Sequence, residues 1–264
     1  MGRLMSNNDS MYHYTDISAV AAIIKSKKLW LTNIGFLNDS QEFQEGLAVV
    51  SKRADEWVFD AEPEIERFKA GLAYTRGVLQ AYKEFAHSNN LYTCSFIRAR
   101  NLLSQWRAYG NFAIEFSRSE LEKKYALYEC IYDSVDKKYH SEGLIRSLVD
   151  KSSVYMTSKL DTPTDHLQAF TAGISIIKNN HFEAEHEVRI IGTSDYERSG
   201  VLHRARGDYL IPYMEIDFPI ESVLAIHVGP VSNQELAGKS LESLLYACGL
   251  RNLPIVFSDI PYRS

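Results

Sequence analysis

An α+β fold is what this sequence predicts, as a single domain over residues 11–264, and three observations carry the expectation. Strand-like and helix-like stretches interleave without the regular strand–helix beat of a doubly wound sheet. The phosphate-loop patterns GxGxxG and GxxxxGK[ST] do not occur. No Pro/Gly/Ser linker, repeat or low-complexity run divides the chain, and its 264 residues, 45% hydrophobic, suffice for one sizeable core.

In chain order, residues 1–10 are polar and without period, and read as a loose tail. Tyr12–Thr15 begins a short strand, and Thr15 or Asp16 can cap a helix whose face is Ile17, Val20, Ala21 and Ile24. Leu29–Ile34 returns as a strand, and Asn38, Asp39 and Ser40 offer a cap to the next helix. Phe43, Leu47, Val50 and Trp57 mark one helical face, and Ile65, Phe68, Leu72, Leu79 and Tyr82 another, so the two form a helical insert. Leu91–Ile97 is apolar on both faces, as a central strand would be. A helical turn over Ser104–Gly110, a strand over Phe112–Phe116 and another over Tyr125–Tyr132 follow, then two helical patterns between Val135 and Lys178. Past a strand at Phe182–Ile191, Tyr209–Ile216 and Ser222–Val228 read as strands, Ser232 with Glu235 as a capping box, Gly249 as a helix stop and Ile255–Ser258 as the last strand.

Composition excludes several classes. No apolar run is long enough to span a membrane and no signal-peptide core opens the chain, which predicts a cytoplasmic protein without membrane association. Cys94, Cys130 and Cys248 are odd in number and far apart, hence buried thiols rather than disulfides or a zinc site. A net charge of −5 opposes broad duplex binding.

The most pointed stretch is FEAEHEVRII, Phe182–Ile191. On a strand, Glu183, Glu185, Glu187 and Arg189 would share one face, and like charges side by side cost stability unless a cation or a ligand covers them. His13, between two tyrosines at a strand end, reads either as a core histidine or as a cleft residue. Gln105, Trp106, Arg107 and Tyr109 gather an amide, an indole, a guanidinium and a phenol within five residues, suited to an aromatic anion; alternatively Trp106 and Tyr109 pack inward. No metal site is expected, since HExxH and CxxC spacings are absent, and Arg189 stands where a PD-(D/E)xK nuclease would have its lysine.

Together, His13–Thr15 (HYT), Leu29–Asp39, Cys94–Phe96, Leu103–Gly110 (LSQWRAYG), Glu185–Arg189 (ExExR) and Val228–Pro230 resemble a large bacterial family catalogued only as a domain of unknown function. More distantly, the architecture is similar to the ADP-ribosyltransferase superfamily. That resemblance implies a mixed or antiparallel sheet with helical insertions and NAD as substrate. By position, His13 matches the residue that contacts the adenosine half of NAD, Ser95 a residue supporting the nicotinamide half, and Glu187 with Glu185 the late-strand catalytic glutamates. Tyr14, Thr15, Gln105, Arg107 and Tyr109 would complete the cofactor lining. Cleavage of the ribose–nicotinamide bond is oxocarbenium-like, so a fixed carboxylate stabilises it, and Glu185 could take a proton from the acceptor. The resemblance implies transfer to a nucleic-acid or protein acceptor, a toxin or anti-phage role, and an antitoxin or defence-system partner. Two readings compete: a nucleotide- or nucleic-acid-binding module without catalysis, and a metal-dependent nuclease.

Overall fold

The computed structural model describes residues 9–37, 41–57, 65–84, 90–158, 164–195, 197 and 199–262. The fold is α+β, with helices packed around a mixed sheet. In chain order its elements are β1 (Ser10–Thr15), α1 (Ile17–Ser26), β2 (Lys28–Asn33), α2 (Gln41–Asp55), α3 (Ile65–Glu84), β3 (Leu91–Ile97), α4 (Leu103–Tyr109), β4 (Phe112–Ser117), α5 (Arg118–Glu122), β5 (Leu127–Glu129), α6 (Ser134–Ser158), α7 (Thr164–Ser175), β6 (Glu187–Thr193), β7 (Leu202–Arg206), β8 (Tyr209–Asp217), β9 (Val223–Val228), α8 (Gln234–Ala247) and β10 (Ile255–Phe257). Short 3-10 turns lie at Ile34–Phe36, Asn180–Glu185 and Ile220–Ser222.

The sheet runs β10-β9-β4-β1-β3-β2-β8-β7, with β6 on β3 and β5 on β6. β10 pairs parallel with β9, and the other ladders are antiparallel. β3 is its organising strand. Along one edge it pairs with β6 from Leu91 opposite Thr193 to Ile97 opposite Glu187. Its other edge is shared, because β1 meets it only at Tyr12–Ile97 and β2 only at Thr32–Thr93 and Asn33–Tyr92. The sheet therefore parts over the middle of β3.

Side-chain alternation assigns the two faces. Tyr92, Cys94 and Phe96 of β3 join Leu29, Leu31, Ile114, Phe116, Val188 and Ile190 beneath α1 and α8. Phe96, Phe116 and Phe218 stack edge to face there, with centroids 5.5 and 5.3 Å apart, and burying each ring is worth about 2–3 kcal/mol. The helical insert keeps its own core: Phe43, Leu47, Leu72, Leu79, Ile145, Leu148, Phe170 and Ile174 join α2, α3, α6 and α7, and Leu91 ties them to the sheet.

Several local expectations are corrected. Asp9 and Ser10 are anchored rather than loose: the Asp9 carboxylate accepts from Ser117 Oγ and the Ser119 N–H, at 2.7 and 2.8 Å, while residues 1–8 lie outside the described residues. Of the two caps expected for α1, Asp16 is the one in place, accepting the Ala19 N–H at 2.8 Å. The Asn38, Asp39 and Ser40 cap lies outside the described residues. Asn233 rather than Ser232 caps α8, its side chain accepting the Leu236 N–H. The strand expected at Tyr125–Tyr132 is reduced to β5. A strand that periodicity did not reveal, β7, forms a hairpin with β8 around Gly207, whose φ of +55° suits a tight turn.

Candidate functional site

Where β1 and β2 part from β3, the gap opens into a cleft of about 770 Å³. His13, Thr15, Trp30, Ser95, Tyr109 and Glu187 are among the residues that line it. By alternation, His13 belongs to the face of Met11, while Glu187 and Arg189 belong to the face of Ser95 and Ile97. One cleft holds both because the sheet is parted between them.

The acidic stretch is not one strand. Asn180–Glu185 winds as a 3-10 turn, begun by Asn179 accepting the His181 N–H and ended by His186 in the left-handed region at φ +44°. β6 then starts at Glu187. Glu183 consequently points to solvent, correcting the expected face of three glutamates, while Glu185, Glu187 and Arg189 are buried together.

What neutralises them comes from elsewhere in the chain. Lys178 Nζ lies 2.5 Å from Glu187 Oε2, 2.9 Å from Glu42 Oε1 and 3.0 Å from Glu185 Oε2. Arg189 donates Nε to Glu187 Oε1 at 2.6 Å, Nη2 to Glu42 Oε2 at 2.5 Å and Nη1 to the Ser175 carbonyl at 2.5 Å. Gln105 Nε2 donates to Glu185 Oε1 at 2.8 Å. Three carboxylates thus share two cations, one net negative charge when all are ionised. Burial alone would raise the Glu187 carboxyl, but Arg189 and Lys178 outweigh it and hold it well below the usual range. Burial dominates at Glu185, whose carboxyl is raised despite Lys178. Among the described residues, no group of three or more His, Cys, Asp or Glu is arranged to hold a metal ion.

His13 occupies the parted edge. Its Nδ1 lies 3.0 Å from the Ser95 carbonyl oxygen, so Nδ1 carries the proton and donates, leaving Nε2 as a bare acceptor. Burial lowers its pKa, and the charge of Arg204 lowers it further. Cys94 Sγ is 3.8 Å from Nδ1, yet burial pushes that thiol up to about 12, which keeps it protonated and unreactive.

α4 supplies a further wall. Gly110 ends it at φ +120°, where a Cβ would stand 2.7 Å from the Thr15 carbonyl oxygen, so only glycine lets the helix end close on β1. Tyr14 is among the residues lining the cleft, but its side chain is engaged in structure: its hydroxyl donates to Ala99 O, accepts the Leu102 N–H, and its ring meets Trp106 edge-on at 4.6 Å. Trp106 packs inward, as the alternative for that segment had it. Tyr109 is 45% exposed because it projects into the open cleft, and crowding by the walls followed by the charges of Glu42 and Glu187 pushes its phenol up to about 12. Arg107 is exposed on α4 and is not part of the cleft lining. Glu185 stands behind the wall, one layer from the cleft.

No family model, curated protein or solved structure matches this chain. The site is therefore read from its own geometry. Sequence reasoning overlooked Lys178, Glu42, Arg204 and Arg206. The first two are lone charges on helical patterns, and the last two ride on the unrecognised β7, for which the Gly207-Asp208 dipeptide before YLIPY was the available signal.

Proposed function

We propose that the cleft binds NAD and that the protein is an ADP-ribosyltransferase-like enzyme acting on a nucleic-acid or protein acceptor. The observation that carries this reading is the joint presence of His13, Tyr109 and Glu187 on one cleft whose volume falls within the range of ligand sites. Breaking the ribose–nicotinamide bond builds positive charge on the ribose, so the protein's task is to hold a carboxylate there. Glu187 fits that task because its two cations keep it ionised at neutral pH. A carboxylate has about four lone-pair positions, and donors from Arg189 and Lys178 occupy three. One position remains for a ribose hydroxyl. His13 Nε2 offers a second acceptor, and Tyr109 an aromatic surface. Glu185 acts as a positioning residue, orienting Gln105 and Lys178.

The engagement of both Glu187 oxygens equally favours a second reading, a nucleotide-binding module in which the carboxylate is structural. Release of nicotinamide from NAD, with DNA, RNA or lysate protein as acceptors, separates the two. Glu187→Gln should lower turnover by about 100-fold or more, since the shape stays and the charge goes. Undiminished turnover in folded Glu187→Gln protein would end the transferase assignment.

A further inference from the structure

Away from the ion network, the β7 wall of the cleft carries an arginine pair with no role in the chemistry above. Arg204 and Arg206 are two residues apart on one strand, so both side chains leave the same face, and both line the cleft. Arg204 lies over the Trp30 ring, 5.0 Å from its centroid, and Nη2 donates to Thr32 Oγ1 at 3.2 Å. Trp30 is itself fixed, with Nε1 donating to Glu215 Oε1 at 3.3 Å and its ring 4.6 Å from Tyr213. Arg204 Nε is shut off from solvent and has no hydrogen-bond partner. Among the described residues, neither arginine meets a carboxylate.

The carboxylates of this cleft are already spoken for. Glu215 is paired with Lys28 at 2.7 Å, Asp16 caps α1, and Glu42 and Glu187 belong to the ion network. Lys25, exposed on α1, adds to the positive charge of the lining. Two like charges on one strand face disfavour each other, and an orphaned buried N–H is a further cost. An anion seated between the side chains removes the first of these penalties, meeting the outer guanidinium N–H groups rather than the occluded Nε. A planar guanidinium already stacked on an indole is preorganised for a phosphate, because its fork matches two phosphate oxygens.

We infer that Arg204 and Arg206 form a phosphate subsite for a small diphosphate-bearing ligand. This deepens the reading of the cleft given above, on whose ligand-binding role it rests, but it requires no catalysis. A nucleic-acid backbone is the poorer fit, since the arginines lie within a cleft and the chain carries a net charge of −5.

Calorimetric titration of the full chain with inorganic pyrophosphate and with ADP tests it. The wild type should bind both, and Arg204→Gln should weaken binding about 10- to 100-fold, the worth of a charge-assisted hydrogen bond. Arg204→Lys should retain part of the affinity, keeping charge without the fork. Arg206→Gln, exposed on an edge strand, should also weaken binding and carries the test should Arg204→Gln fail to fold. Binding of ADP without nicotinamide release from NAD would sustain the subsite while removing the transferase reading. Three results would overturn the inference: no binding of pyrophosphate or ADP at millimolar concentration, unchanged affinity in Arg206→Gln and folded Arg204→Gln, or tighter binding of a single-stranded oligonucleotide lacking terminal phosphate.

Discussion

Replacing Lys178 by Met removes a charge and little volume, and the structure gives the size and the pH signature of the loss. Lys178 is 3% exposed and touches Glu42, Glu185 and Glu187 within 3.0 Å. Without it, buried Glu187 and half-buried Glu42 keep only Arg189, and buried Glu185 keeps only the Gln105 amide. Removing one partner from a buried ion pair costs about 3–5 kcal/mol, a large fraction of the roughly 5–15 kcal/mol that holds a domain together. At roughly 2–4 °C per kcal/mol for a chain of this size, the melting temperature should fall by about 6–20 °C. In the wild type, Glu187 is depressed, so its contribution is present above its unfolded pKa of about 4.3 and is lost as pH falls through the folded value. Lys178 is raised, so its contribution is complete below about 10.4 and is lost as pH climbs through the folded value. In Lys178→Met, Glu187 loses one of the two cations that hold its carboxyl down and Glu185 loses its one cation, so both carboxyls move up, the native state binds more protons relative to the unfolded chain, and stability increases as pH drops from 7 to 5. Glu185, already raised in the wild type, adds a smaller slope of the same sign. The deficit of the variant, measured by urea unfolding with tryptophan fluorescence, should therefore be larger at pH 7 than at pH 5. A loss below about 1 kcal/mol, or the same deficit at both pH values, would refute the reasoning.

Three more expectations follow from the site. His13→Ala strands the Ser95 carbonyl at a cost of about 1–3 kcal/mol, whereas His13→Asn, whose amide can replace the Nδ1 donor, should keep most of the stability and still weaken NAD binding in calorimetry. Because the pKa of His13 is lowered by burial, the unfolded chain takes up its proton first, so its contribution to stability is full above about pH 6.5 and declines below it; His13→Asn should flatten that decline in melts between pH 7 and 5. A chelator should leave nicotinamide release unchanged, since Glu187 and Glu185 are already held by Lys178 and Arg189; cleavage of nucleic acid that needs a divalent metal and ignores NAD would favour the nuclease reading.

Legibility tracked how local each signal was. β3 was readable to the residue because both of its faces are buried and its apolar run has sharp ends. α4 was readable because Gly110 must close it. The 3-10 turn at Asn180–Glu185 was misread because period-2 charge looks like a strand, while the backbone there is decided by the Asn179 cap and the left-handed His186. Lys178 and Glu42 were invisible for another reason. A charge on a helical pattern ordinarily faces water, and only the tertiary fold brings residues 42, 178, 185, 187 and 189 to one point. β7 is short and mostly exposed, so it lacks the alternating apolar face by which a strand announces itself.

The parted edge of β3 has a consequence for the backbone itself. Arg98 N–H bonds the Glu185 carbonyl, and the Glu187 carbonyl is taken by Cys130. By alternation, Cys94 and Phe96 direct their amides toward β6, and Ser95 directs both its N–H and its C=O toward the opening. His13 takes the carbonyl. The Ser95 amide is directed to the same opening from the innermost strand, and Ser95 lines the cleft, so its exchange with solvent deuterium should depend on what the cleft holds. The middle of the sheet, ordinarily the last part of a protein to exchange, thus carries one position that reports directly on whether the cleft is filled.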